Sequence, residues 1–160
     1  MSLELVRSYF HPLGRARDIL EFAESSATVE LAAQAAGVIP ARIAKTLSFL
    51  VEDGCILVVA SGDAKVDNSK FKETFHTKAK MLTPEQVTHF TGHAVGGVCP
   101  FANPEGVKTY LDRSLKRFHT VFPAAGSSNS AIELTCQELE QYSNCLGWID
   151  VCKDWSSDLE

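Results

Sequence analysis

Residues 91–102 read TGHAVGGVCPFA, with Gly96 and Gly97 adjacent, then Val98, Cys99, Pro100 and Phe101, all shortly after His93. Two glycines leave backbone N–H groups bare enough to approach a ligand closely, and a following proline stiffens the exit. Oxyanion holes are built this way, and one such donor is worth about 3 kcal/mol in a transition state. The same residues also suit a plain tight turn, and both readings stand on spacing alone. Cys99 and His93 raise a thiol–imidazole nucleophile, but no third group that would orient the base is evident. Three further places carry polar chemistry in apolar surroundings. Lys45 and Thr46 lie within ARIAKTLSFLV, at the start of a segment patterned to be buried, where a lysine either snorkels to water or is held for a partner. Asp63 closes a strand-ending SGD. AAGSSNSA, residues 124–131, brings Ser128 and Ser130 between two apolar runs.

The elements that must position these residues follow from capping and periodicity. Ser2 opens a short amphipathic helix with Leu3, Val6 and Phe10 on one stripe. RDILEF reads as a strand. Thr28 caps an alanine-rich helix that Gly37 stops. Two apolar segments around Asp53-Gly54 predict a β-hairpin over residues 46–61. Asp67 and Ser69 open a helix with Phe71 and Phe75 four apart, and Thr83 with Gln86 opens another through a capping box. Beyond the glycine loop, VKTYLD, HTVFPA, SAIELT and GWIDVC are apolar runs of strand length, and Thr135 with Glu138 boxes the start of a last helix. Short strands, one clear hairpin and interspersed helices predict an α+β fold, a mixed, barrel-like β-sheet surrounded by helices. Residues 1–153 are expected to form a single domain, with 154–160 a frayed polar tail.

Composition bounds what such a domain does. The chain has 160 residues, 45% hydrophobic and 22% charged, in the range of ordinary globular proteins. No apolar run approaches the ~20 residues of a membrane span, and no leader pattern opens the chain, so a cytoplasmic protein without membrane contact is expected. Five cysteines without a C-x-x-C pair predict neither a disulfide framework nor a zinc site. The net charge of −5 is uneven. Residues 41–120 hold 11 Lys/Arg against 8 Asp/Glu, and seven of the cations (Arg42, Lys45, Lys65, Lys70, Lys72, Lys78, Lys80) fall in residues 41–80. That stripe either meets phosphates or is a solvated helix face.

In order and spacing, TVELAAQAAGV…RIAKTLSF, the SGD turn followed by KVD, GHAVGGVCPFA and AAGSSNSAIEL resemble the YbaK/EbsC family of freestanding and prolyl-tRNA-synthetase-associated editing domains. The resemblance runs from about Thr28 to Trp148. It implies hydrolysis of the ester between a wrong amino acid and the tRNA 3′ end. Lys45 matches the family lysine that holds the phosphate near the terminal adenosine. Residues 96–100 match the G-x-x-x-P loop that cradles the aminoacyl group, so Gly96, Gly97, Val98 and Pro100 join Lys45 as the catalytic set. Thr28, Thr46, Asp63, Cys99, Phe101, Ser128 and Ser130 are expected around the substrate. An aminoacyl ester is already activated, so positioned water, backbone donors and the ribose hydroxyl suffice, with no cofactor or metal.

The sequence departs from the family branches at one end of the site. Ala131 stands where the cysteinyl-tRNA deacylating branch has an aspartate, the preceding turn is Ser127-Ser128-Asn129-Ser130 rather than basic, and the histidine of the alanine-editing branch is missing. A hydroxyl-lined turn suits a serine- or threonine-like side chain. Acidic flanks imply weak, transient binding of mischarged tRNA by a monomer, with a synthetase or elongation factor delivering the substrate. The alternative is a non-catalytic module that binds a small molecule or aminoacyl-adenosine.

Overall fold

A computed structural model describes residues 2–52, 54–94 and 96–156. The capping side chain of Ser2, the turn residue Asp53 and tail residues 157–160 lie outside the described residues. The fold is α+β, with a curled, half-barrel sheet of six strands flanked by helices. Its order is β8 (Leu134–Thr135), β6 (Thr120–Pro123), β2 (Ile43–Val51), β3 (Gly54–Ser61), β5 (Lys108–Asp112), β9 (Trp148–Ile149). The hairpin β2–β3 is the centre, antiparallel from Ala44↔Ser61 to Val51↔Gly54. β6 joins β2 in parallel, and β5 and β9 follow β3 in parallel. β3, GCILVVAS, is buried along nearly its whole length, the pattern of a strand covered on both faces.

The two covers come from different parts of the chain. On one face α1 (Ser2–Phe10) brings Val6 and Phe10 against Val59, Leu111, Leu115 and Leu139, with α5 (Cys136–Tyr142) beside it. On the other, α3 (Asn68–Phe75) stacks Phe71 between Phe49 at 4.7 Å and Phe75 at 4.8 Å. Each buried phenylalanine contributes roughly 2–3 kcal/mol. The expected caps are made: Thr28 accepts from Leu31 N at the head of α2 (Val29–Ala36), and Asp67 accepts from Ser69 N and Lys70 N. Thr83 with Gln86 and Thr135 with Glu138 form complete capping boxes on α4 (Pro84–Thr91) and α5.

Two of the expected strands are each split. SAIELT divides into β7 (Ser130–Ile132), which pairs with β1 (Ile19–Glu21), and β8, which pairs with β6, with Glu133 exposed at the break. GWIDVC divides into β9 at the edge of the main sheet and β10 (Cys152–Lys153), which pairs with β4 (Lys65–Val66). Period-2 hydrophobicity marks a strand but not its partner, and here one run serves two partners. Past Lys153 the chain is still anchored: Trp155 lies under the guanidinium groups of Arg113 and Arg117, and Arg117 donates to Ser156 O. Among the described residues no helix is long and apolar enough to cross a membrane.

One buried carboxylate ties the last two strands to the sheet. Asp112, fully buried, accepts from Ser114 N at 3.0 Å and from Val151 N at 2.9 Å. Asp112→Ala leaves both donors without their acceptor and is expected to lower stability by about 3 kcal/mol, with Asp112→Asn intermediate, read as the shift of the urea midpoint at constant slope.

Candidate functional site

The sheet opens beside Lys45. β2 and β6 pair only at Ile43↔Phe122 and Ala44↔Pro123. Pro123 has no N–H to extend the ladder, and the chain turns away to an Ala124↔Ala131 bridge. A cavity of about 220 Å³ occupies the gap, lined by Lys45 and Thr46 of β2, by Thr28 and Val29 at the head of α2, and by Gly96 and Val98. Ala32, Ala44, Ala124 and Ala131, together with Ser130 and Phe122, complete much of its wall, and these mostly small side chains leave the space open.

Lys45 is half-buried and its ammonium donates to the carbonyls of Gly62, at 3.4 Å, and Ala64. Burial pushes its pKa down, partly offset by the negative fields of Asp63 and Glu30. An ammonium has three donors, and the two carbonyls leave one for a ligand. Thr46 lines the cavity with its hydroxyl buried and, among the described residues, unpartnered.

Asp63 does not line this cavity. It grips Arg117 through both oxygens, at 2.6 and 3.0 Å, while Arg117 also donates to Ser61 Oγ at 2.8 Å and Ser114 O at 2.8 Å. Burial alone would raise the Asp63 pKa, but the hydrogen bond and charge of Arg117 outweigh it and hold the carboxyl below the usual range. Asp63 therefore fixes the turn whose carbonyls hold Lys45, a positioning role that the sequence reading, which put it around the substrate, did not separate from contact.

The glycines answer to different constraints. Gly96 has φ +91°, a left-handed conformation costly for other residues. Gly97 packs on the 126–127 turn: an added Cβ would lie 2.7 Å from Gly126 O and 2.9 Å from Ser127 Cα. Its N–H is spent on Ala94 O at 2.9 Å. Among the described loop residues, Gly96 and Val98 line the cavity.

Cys99, Pro100 and Phe101 are buried behind the loop and not on the cavity wall. Phe101 stacks edge-on against Phe10 at 4.9 Å. The fully buried His93 reaches across the loop, its Nε2 2.9 Å from Phe101 O and 3.6 Å from Cys99 Sγ. Burial lowers the His93 pKa, with the Phe101 carbonyl opposing, and pushes the Cys99 thiol up to about 12. A neutral imidazole bonded to a carbonyl beside a protonated thiol braces the loop and does not form a nucleophile. His93's bracing had one sequence signal: a histidine eight residues before Phe101 across a glycine loop.

The serine turn is bonded mainly to itself and to the segment before α2. Ser127 Oγ bonds Ser130 Oγ at 2.7 Å, and Ser128 O accepts from Ser26 N at 2.6 Å. Ser130 lines the cavity; the exposed Ser128 does not. The basic stripe is likewise divided. Arg42 binds Thr120 and Glu133, Lys70 binds Asp150 and Cys152 O, and Lys72 and Lys78 border a separate surface groove. Among the described residues no three His, Cys, Asp or Glu side chains converge as a metal site would require.

The family model for an aminoacyl-tRNA editing domain matches residues 23–142. The uncharacterized protein YwhH of Bacillus subtilis is 58% identical over 156 residues, covering 97% of this chain and 99% of that protein. A proline–tRNA ligase of Thermotoga neapolitana is 31% identical over 90 residues, 56% of this chain but 15% of the ligase. Among solved structures, one described as a candidate trans-editing enzyme for prolyl tRNA synthetase superposes with a TM-score of 0.85 at 29% identity, covering 95% of this chain and 97% of its own. The hypothetical protein APE2540 superposes with a TM-score of 0.81 at 28% identity, covering 93% and 99%.

Gly97→Ala drives a methyl into the Gly126 carbonyl and is expected to cost about 2 kcal/mol of stability, measured by thermal or urea unfolding, while widening the gap between loop and turn. Cys99 is expected to resist iodoacetamide at pH 8 in the native protein and to react after denaturation, read by peptide mass. Alkylation of Cys99 in the folded state would contradict its burial.

Proposed function

Because this chain belongs to the aminoacyl-tRNA editing-domain family, we propose that it is a trans-editing deacylase that removes a wrongly attached amino acid from the 3′ end of tRNA. The observation that carries the reading is the meeting of Lys45, Thr46 and the glycine loop on one cavity of about 220 Å³. The aminoacyl group occupies the cavity. Lys45 offers its remaining donor to a phosphate of the terminal nucleotide, and Thr46 offers its unpartnered hydroxyl to the substrate. Backbone donors of Gly96 and Val98 take the charge that builds on the ester carbonyl oxygen. Water attacks the carbonyl carbon, the tetrahedral centre collapses with cleavage of the ester C–O bond, and the ribose oxygen leaves with a proton relayed through its neighbouring hydroxyl. The products are a free amino acid and an uncharged tRNA.

A cavity of about 220 Å³ has room for an amino-acid side chain, and Ser130 adds one polar point to its largely apolar wall. Discrimination by size is what an editing site supplies, since a synthetase pocket gains only about 1–3 kcal/mol per methylene against a smaller rival. A synthetase or an elongation factor would deliver the substrate, and the reaction belongs to the cytoplasm. A second reading, a module that binds an aminoacyl-adenosine without turnover, draws on the scarcity of titratable groups: Lys45 is the one ionisable side chain on the described cavity wall.

The deciding assay charges tRNAs with Ala, Ser, Thr, Cys and Pro and follows ester loss with wild type and Lys45→Ala. The expected result is loss of one or two small esters, with kcat/KM at least ~100-fold lower in the variant. Binding of an aminoacyl-adenosine without loss of any ester would establish the second reading instead. Loss unaffected by Lys45→Ala would move the chemistry to another site.

A further inference from the structure

The ribbon made by β4 and β10 carries a charge arrangement that folding does not explain. Its register sets Cys152 opposite Val66 and Lys153 opposite Lys65. Cys152 is buried and Val66 packs on the core around Phe71, so the ribbon's alternation turns Lys65 and Lys153 outward together, and both are exposed. Like charges directly opposite on one face of a strand pair are destabilising. Neither ammonium has a carboxylate partner among the described residues. Asp67, whose carboxyl feels Lys153, caps α3 through Oδ1 to Ser69 N and Lys70 N without forming an ion pair with Lys153, and Asp63 is committed to Arg117. The ribbon is also held still: Asp67 N donates to Val151 O at 2.8 Å and Lys70 Nζ to Cys152 O at 3.0 Å.

This pair stands beside the cavity. Lys65 directly follows the turn whose Gly62 and Ala64 carbonyls hold Lys45, and its positive field reaches the Lys45 ammonium. Three cations thus run from the cavity wall to the outer surface. Lys153 comes from beyond residues 23–142, the part of the chain that the family model matches.

We propose that Lys65 and Lys153 form a docking lane for the single-stranded phosphodiester backbone of an RNA whose 3′ terminus enters the cavity. The lane rests on the deacylase reading for its substrate, but its binding step can be tested without it. Successive phosphates supply the anions that the ribbon lacks, and relieve the repulsion that the free protein carries.

The test compares wild type with Lys65→Gln/Lys153→Gln, using Lys108→Gln on β5 as a single-charge control outside the lane. Anisotropy of a labelled single-stranded RNA ending in CCA is titrated across salt. Removing two phosphate contacts is expected to flatten the log–log salt slope by about 1.4, with affinity at low salt falling roughly tenfold, while Lys108→Gln leaves the slope unchanged. On mischarged tRNA the double variant is expected to raise KM about tenfold at unchanged kcat, and to hydrolyse a 3′-aminoacyl-adenosine, which lacks the upstream phosphates, at the wild-type rate. A thermal midpoint equal to or above wild type shows that the substitutions leave the fold intact. An unchanged salt slope in the double variant overturns the lane whatever the catalytic result. If wild type hydrolyses neither substrate, the deacylase reading fails, and the slope still decides the lane.

Discussion

The early parting of β2 from β6 is the constraint on which the rest of the site depends. A parallel pair normally runs on until one strand ends, and here β6 ends at Pro123, which cannot donate to the ladder. The backbone of β2 continues, so Lys45 and Thr46 face a gap where a neighbouring strand would have been. Everything around that gap fits the missing strand's volume. The head of α2 closes one side, the glycine loop another, and the hairpin return through Ala131 a third. The pocket therefore follows from the strand topology, with Pro123 marking where β2 and β6 part.

The walls are held in place by polar groups that do not themselves reach the cavity. Arg117 fixes Asp63, Asp63 and Ser61 fix the turn, and the turn's carbonyls hold Lys45. His93 does similar work for the glycine loop through the Phe101 carbonyl. The hydroxyls of residues 127–130 bind each other and the segment ahead of α2. Apart from His93 Nδ1, which is buried without a partner among the described residues, these groups are hydrogen-bonded, and such bracing is what backbone donors need if they are to meet a transition state without reorganising.

This division explains what could be read from sequence. Caps at Thr28, Asp67, Thr83 and Thr135 depend on neighbours three residues away, and each forms as its local pattern requires. The β2–β3 hairpin likewise follows from two apolar runs around one turn. The splits at Glu133 and Asp150 were not legible, because both halves of each run alternate correctly and only the fold chooses different partners. At the site, Lys45, Thr46, Gly96, Val98, Thr28 and Ser130 share one cavity, whereas Asp63, Cys99 and Phe101 stand behind it and Ser128 outside it. Sequence spacing groups residues that act near one another, but cannot separate those that touch a ligand from those that hold its contacts. The alanines of the wall were visible only as a helix and strands suited to close packing. Their joint effect, an open space of about 220 Å³, needed the third dimension.

Charge distribution bears on how such a site would select its substrate. At about 0.1 M salt the Debye length is roughly 10 Å, so only nearby charges act on a phosphate lying against the ribbon or Lys45, and Glu30, whose negative field reaches Lys45, is among them. Attraction and repulsion are then both local. On the deacylase proposal, an RNA end would be oriented without the broad basic surface that retains any polyanion, and correctly charged tRNA would leave as readily as it is sampled. Selectivity would then fall to the cavity, where a side chain that does not fit meets overpacking before the ester can reach the loop. The sparse cations and the pocket would divide the work in this way: brief contact through the RNA backbone, and discrimination inside the cavity.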